Sequence, residues 1–321
     1  MVQAALLATG DPGCETPRLV SAGGPFPRNA RTLAIRWTGY SNFELAYRGH
    51  TILLDAYFDR GSTYAPLGFK AGDIKKADAI LIGHAHFDHM SDAATVSAAT
   101  GAAVVGAPIT TDKLRSQGLD AGRIRTVTGK GSERLKFSNF EVEPILGRHG
   151  EPPANVTAAF NQALRTVTAP YSAQQNAEAA AIRERGSSDP RITTEGTIAY
   201  LITLDNGFRI LYRDSGGEIT DYERAAMQRV GHVDLALAAV AADTLPSLTI
   251  RRALEYLRTY QPRVYIPAHH DADLNGLWRA TEPIFQALKN EAPGLITISR
   301  QYREPVCLDT ATKPTQSRKI Q

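Results

Sequence analysis

Residues 77–83, ADAILIG, turn almost wholly apolar toward their end, and the next six residues are His84, Ala85, His86, Phe87, Asp88 and His89. No other junction constrains the fold as much. A short apolar run closed by glycine reads as a strand buried on both faces, so layers must cover it from either side. Three of the chain's eight histidines then crowd its carboxyl end together with an aspartate. Imidazoles at that density repel when charged and need partners when buried, so a shared ion explains them better than a structural role. On an extended chain, side chains two apart point the same way, so His84 and His86 can meet one ion. Asp88 and His89 follow as the chain turns toward the next helix, and they can face a neighbouring position. Neutral imidazoles with a carboxylate suit Zn²⁺, and also Mn²⁺ or Fe.

The rest of the chain supplies the layers. Residues 1–31, rich in Gly and Pro, read as an extended arm. LAIRWTG, FELAYRG and TILLDAY read as strands, with Gly39 and residues 48–50 marking turns. SDAATVSAATG reads as a helix closed by Gly101, AAVVGAP as a strand, TDKLRSQGL as a short helix, and ERLKFSNFEVEPI as a hairpin. Residues 150–192 change texture. One helix is expected over 155–168, with Val156, Phe160, Leu164 and Val167 on a stripe, and a second, alanine-rich one ends at Gly186. TIAYLITLDNGFRILYRDSG predicts two strands joined at DNG. Thr220 and Glu223 form a capping box, DLALAAV and RVYIPAHH read as strands, and LTIRRALEYLRTY reads as a helix stopped by Pro262. A last helix falls within 277–290, and LITISRQY is the strand after it. Residues 304–321 read as a tail.

Other ligand-type residues also stand at strand ends: His149, Asp214, and the pair His269 and His270. His50, in a tight turn, and His232, at the amino end of a strand, read as solvated. Cys14 and Cys307 lack the paired spacing of a zinc site and read as two free thiols, by the usage of intracellular proteins. The other reading is a bond joining the terminal segments, expected if the protein is exported. TGKGS (128–132) lacks the first glycine of a phosphate loop.

Composition narrows the classes of partner. With 43% hydrophobic and 21% charged residues and a net charge of +3, the 321-residue chain is of ordinary globular make-up. No aromatic-and-arginine stripe accompanies the weak basicity, which argues against nucleic acid. The longest apolar run, residues 235–242, is far short of the ~20 residues of a membrane span. The start, MVQAALLATGDPG, lacks a basic region followed by a long apolar one, and the compartment stays open between cytoplasm and export.

H-x-H-x-D-H at the end of a buried strand resembles the core signature of the metallo-β-lactamase superfamily, within it the branch of the ascorbate-6-phosphate lactonase and the N-acyl-phosphatidylethanolamine phospholipase D. WTGYSNFEL is similar to that branch's Gly-x-Ser-x-Phe strand pair, TILLDAYF to its Asp-containing third strand, LYRDSG to the family's Gly-Asp-Thr, and IPAHH to its Pro-x-His. The resemblance implies an α+β fold, a four-layer αββα sandwich of two mixed sheets flanked by helices, over residues 32–303. It implies two divalent metal ions at one edge, most simply Zn, with Mn or Fe as alternatives. One would take His84, His86 and His149, and the other Asp88, His89 and His269, with Asp214 bridging. Arg213 replaces the usual glycine before that aspartate and is expected to point away from the metals. His270 doubles the expected histidine and is assigned to substrate contact or support of the site.

The implied activity is hydrolysis by a dinuclear-metal-bound hydroxide, which Asp88 would orient and relieve of its proton. The substrate would be an ester, lactone or phosphodiester of a small molecule, with a homo-oligomer left open. An iron-dependent oxidoreductase and a non-catalytic scaffold are the alternatives on the same fold. The insertion 150–192, which leaves the chain beside His149, is expected either to form a lid or wall of the pocket or to pack as a helical pair on the outer face.

Overall fold

The computed structural model describes residues 7–8, 10–131, 133–151, 154, 155, 158, 170–240, 246–271 and 280–311. The first sheet contains β1 (Thr32–Trp37), β2 (Phe43–Tyr47), β3 (His50–Leu54), β4 (Ala79–Leu81), β5 (Ala103–Gly106) and β6 (Ile124–Thr126). The second contains β7 (Leu135–Lys136), β8 (Phe140–Leu146), β9 (Ile198–Leu204), β10 (Arg209–Arg213), β11 (Leu235–Ala239), β12 (Val264–Ala268) and β13 (Ile296–Thr297). The first sheet is completed at its edge by β14 (Pro305–Asp309), antiparallel to β1, so part of the segment read as a tail is a strand.

The sheets run β14-β1-β2-β3-β4-β5-β6 and β13-β12-β11-β10-β9-β8-β7. In each, antiparallel strands give way to a parallel set: β3 is parallel to β4 and β10 to β11. β1–β2, β2–β3, β7–β8 and β9–β10 are sequential antiparallel pairs, the insertion joins β8 to β9, and crossovers, helical except between β3 and β4, join the parallel strands. Helices α1 (Phe87–Met90), α2 (Ala93–Thr100) and α3 (Pro108–Ser116) follow β4 and β5. From the insertion come α4 (Ala173–Arg183) and α5 (Ile192–Glu195), and the second sheet carries α6 (Asp221–Val230), α7 (Pro246–Tyr260) and α8 (Glu282–Glu291).

The capping boxes at Ser172 and Thr220 start α4 and α6, and Gly101, at φ 80°, ends α2 in the left-handed region. The first helix expected in the insertion, with its stripe at Val156, Phe160, Leu164 and Val167, lies outside the described residues.

Alternate residues of both sheets fill the central layer: Leu33, Ile35, Phe43, Leu45, Leu54 and Leu81 face Val142, Ile198, Tyr200, Ile202, Tyr212 and Leu237. The outer face of the first sheet is covered by α2 and α3, through Val96 and Leu114, and that of the second by α6, α7 and α8, through Met227, Leu257 and Leu288. This is the expected four-layer αββα sandwich. Two polar contacts fix how the sheets sit: the Tyr200 hydroxyl donates to Ile82 O (2.8 Å), and Ile198 N donates to Gly83 O (2.7 Å). No helix among the described residues is long and apolar enough to cross a membrane.

Cys14 and Cys307 are bonded, with Cα atoms 5.9 Å apart, which corrects the free-thiol reading. The cysteines are separated by 293 positions, so nothing local in the sequence signals the pairing. A buried ion pair reinforces it: Arg36 reaches Glu44 and the carbonyls of Gly13 and Thr16, while Glu44 accepts from Val20 N and Ser21 N.

Candidate metal centre

Ile82 and Gly83 follow β4, and at Gly83 a Cβ would lie 2.0 Å from the Asp214 carboxylate. That close approach brings the loop after β4 against the end of β10. His84, 1% exposed, points its Nδ1 at Asp214 Oδ2 (2.5 Å) and its Nε2 toward His86 Nδ1 (2.9 Å). One helical turn, α1, then carries Asp88 and His89. His89 Nδ1 lies 2.6 Å from Asp55 Oδ2 and 3.3 Å from Asp214 Oδ2, and its Nε2 lies 3.4 Å from Asp88 Oδ2.

The other groups arrive one per strand. His149 follows β8, with its ring centroid 4.7 Å from those of His84 and His86. Asp214 follows β10, fully buried, with its carbonyl held by Ser41 Oγ (2.6 Å). His269 follows β12 in the left-handed region (φ 61°), which turns its ring back over the cleft and sets Nε2 3.3 Å from Asp88 Oδ2. The loop is kept in that conformation by His269 N donating to Tyr40 O and by Asp271, which accepts from Tyr40 N and pairs with Arg60.

Seven of the eight residues singled out from sequence therefore meet. His270, expected from the sequence to contact substrate or support the site, does not join them. Its ring is buried and stacks on Trp37 at 4.2 Å, in the layer between β1 and β12, and it is not among the residues that line the cleft. His50 pairs with Asp78 (3.0 Å) away from the site, and His232 is half-buried.

The donor atoms form three overlapping groups, each with its atoms within 4.8 Å of one another: His84, His86 and His149; His84, His89 and Asp214; Asp88, His89 and His269. Electrostatics fits cations. Burial, joined by the neighbouring rings, holds His84, His86 and His149 below the usual imidazole range, hence neutral with lone pairs free for a metal. Burial would push Asp88 up, but His89 and His269 hold it well below the ordinary carboxylate value. His89 goes the other way: burial disfavours its charge, yet Asp88, Asp55 and Asp214 around it raise its pKa well above the ordinary value. Asp214 Oδ1 and His269 Nδ1 are buried with no hydrogen-bond partner among the described residues. Polar atoms left so are costly unless something else satisfies them, and the donor set suits a divalent cation.

In the sequence Asp55 stands out only as part of the strand motif TILLDAYF. Here its carboxylate takes Gly83 N (2.9 Å) and His89 Nδ1 together, fixing the ring that two donor groups share. A buried aspartate directly after an apolar strand was the available signal.

A cleft of about 840 Å³ opens over these groups. Part of its wall comes from the insertion: Arg183, Glu184, Gly186, Ser187 and Ser188. That end of the insertion is fastened to the motif itself, through Ser187 N to Ala85 O (2.7 Å) and Arg185 to Asp92 (2.7 Å).

A family model described as a beta-lactamase superfamily domain matches residues 50–175, which include the whole H-x-H-x-D-H cluster and His149. Over those residues the chain is similar to the metallo-β-lactamase superfamily. The chain is 26% identical over 246 residues, 76% of its length and 77% of the relative's, to a UPF0173 metal-dependent hydrolase of Anaeromyxobacter dehalogenans. A shorter match, 39% over 89 residues (26% of this chain, 36% of the relative), is to a UPF0173 metal-dependent hydrolase of Lawsonia intracellularis. Among solved structures, Igni18, a metallo hydrolase from the archaeon Ignicoccus hospitalis, shares the fold with a TM-score of 0.60 at 16% identity. It covers 86% of this chain and 98% of its own.

Proposed function

We propose that this protein is a metal-dependent hydrolase of the metallo-β-lactamase superfamily that cleaves an ester, lactone or phosphodiester of a small molecule with two divalent ions, Zn²⁺ first among them. One ion would be held by His84, His86 and His149, the other by Asp88, His89 and His269, with Asp214 between. The observation that carries this is the overlap of the donor groups: His84 and His89 each belong to two of them, and Asp214 joins both. Paired ions in such sites supply acidified water and stabilise charge on the oxygen of the scissile carbonyl or phosphoryl group.

The chain's own residues do the rest. Asp88 is ionised and faces the cleft between His89 and His269, so its carboxylate can accept a proton from the attacking water and return it to the leaving group. Asp55 and Asp214 keep the imidazoles of His89 and His84 from rotating. Phe87, Gly150, Ser187 and Gly216 shape the wall against which the substrate lies. The hydrolase names of the sequence relatives agree with this reading, as does the lactonase and phospholipase branch that the motifs resemble. Metal-loaded protein offered a panel of lactones, carboxylic esters and phosphodiesters should cleave members of one class, and His84→Ala should cleave none. A protein that carries two ions and leaves the whole panel intact contradicts the proposal.

A further inference from the structure

We infer that Arg213 is a positioning residue for the metal centre: its buried guanidinium ties together the two loops that carry His149 and Asp214. The inference rests on the metal-site reading above and adds a residue that makes no contact with a metal or a substrate.

Arg213 is the last residue of β10, and strand alternation sends its side chain to the face opposite Asp214. There it is 1% exposed. Nε donates to Glu223 Oε1 (2.8 Å). Nη1 donates to Ser215 O (2.5 Å) and Gly217 O (2.8 Å), with the Tyr256 hydroxyl also in contact. Nη2 donates to Glu218 O (2.8 Å) and Arg148 O (3.3 Å). Three of these carbonyls lie just after Asp214, and the fourth belongs to the residue before His149.

Two further contacts close the same seam. Gly150 N donates to Ser215 Oγ (2.8 Å), and Gly217 packs so tightly on the other loop that a Cβ would sit 2.0 Å from Arg148 O. The Tyr256 hydroxyl supports Gly217 O from below (2.7 Å), and Tyr260 and Thr220 N hold the Glu223 carboxylate.

A core-filling residue would not need this. A buried charge is expensive, and a hydrophobic residue of like volume commonly does as well for stability. What an apolar side chain cannot do is bind four carbonyls of two loops in a fixed planar fork, and lysine, with donors radiating from one nitrogen, cannot either. The device therefore sets the separation of His149 from Asp214 before any ion arrives.

The test is zinc affinity, measured by competition with a chelator at a temperature where circular dichroism shows each variant folded. Arg213→Met with Glu223→Gln removes the guanidinium without stranding its partner, and Arg213→Lys keeps a charge but not the fork. Both should bind Zn²⁺ about 10–100-fold more weakly than the wild type, the usual loss when support of a metal ligand is removed. Arg36→Lys, in the buried pair that holds the N-terminal arm, should lower stability and leave zinc affinity unchanged. If the double variant does not fold, Arg213→Lys carries the test. Wild-type zinc affinity in a folded Arg213 variant overturns the inference, as does an equal loss in Arg36→Lys. A wild type that takes up no zinc overturns the metal-site reading as well, and so is distinguishable from either.

Discussion

The two sheets repeat one plan and use it differently. In both, antiparallel strands lead into a parallel set, and at the turning point each strand ends in a fully buried aspartate: Asp55 after β3 and Asp214 after β10. Beyond that point they diverge. The first half places four donors in six consecutive residues after β4, whereas the second spreads His149, Asp214 and His269 over three strand ends. The first half carries its donors on one short segment, supported by Asp55 at His89, by Asp214 at His84 and by a glycine for clearance. The second must keep separate loops in step, which is where the Arg213 fork and the strained backbone of His269 occur. A contiguous motif sets its own geometry, and a dispersed one depends on what lies behind it.

The largest expected effect tests the proton-handling role of the contiguous half. Asp88→Asn keeps the shape but not the basicity, and turnover should fall by about 10²–10⁴, the range for loss of a general acid–base group. Metal content must be measured on the same sample, and near-normal turnover would remove Asp88 from the chemistry.

The strap on the first half should matter for stability alone. Replacing Cys14 and Cys307 by alanine should cost about 2–4 kcal/mol in urea unfolding, the common range for a native disulfide, with zinc content unchanged. Loss of zinc would mean that the arm supports the centre and that the halves are less independent than described. Mass spectrometry without reductant should find the two thiols bonded.

Where the halves meet, His270 sits against Trp37 with its pKa pushed down to about 4, chiefly by burial. The unfolded chain, with an ordinary histidine near 6.5, takes up the proton first. Stability from this group is therefore complete above about pH 6.5 and lost as pH falls toward 4, by up to about 3 kcal/mol at 1.36 kcal/mol per pKa unit. In metal-free protein His270→Phe should flatten that part of the pH dependence, and an unchanged slope would show the ring does not titrate there. Its kinetic constants should stay near wild type.

The smallest expected effect compares the two aspartates directly. Asp55→Asn should weaken zinc binding by about 10-fold, the low end for a supporting residue. A complete loss would promote Asp55 to a ligand.

This division also explains what could be read in advance. The strands and the sandwich followed from alternation and turn residues, because those signals lie within a few positions. His84, His86, Asp88 and His89 were legible because chemistry and spacing coincide. His149, Asp214 and His269 could be picked out only as polar residues at strand ends, and the choice between His269 and His270 depended on a backbone angle no residue type announces. Arg213 turns away from the metals as its sequence position implies, but its carbonyl partner on the other loop lies 65 positions distant. The disulfide and the strand β14 escaped for the same reason, since both are made with the far end of the chain.

The central claim is that the two halves together hold two ions joined by Asp214. Zinc titration of metal-free protein by calorimetry, with elemental analysis after dialysis, tests it most directly. The account predicts two ions per chain for the wild type, and for Asp214→Ala at least one site weakened beyond retention. A wild-type stoichiometry of one or none, or an Asp214→Ala variant that keeps two ions at wild-type affinity, would contradict it.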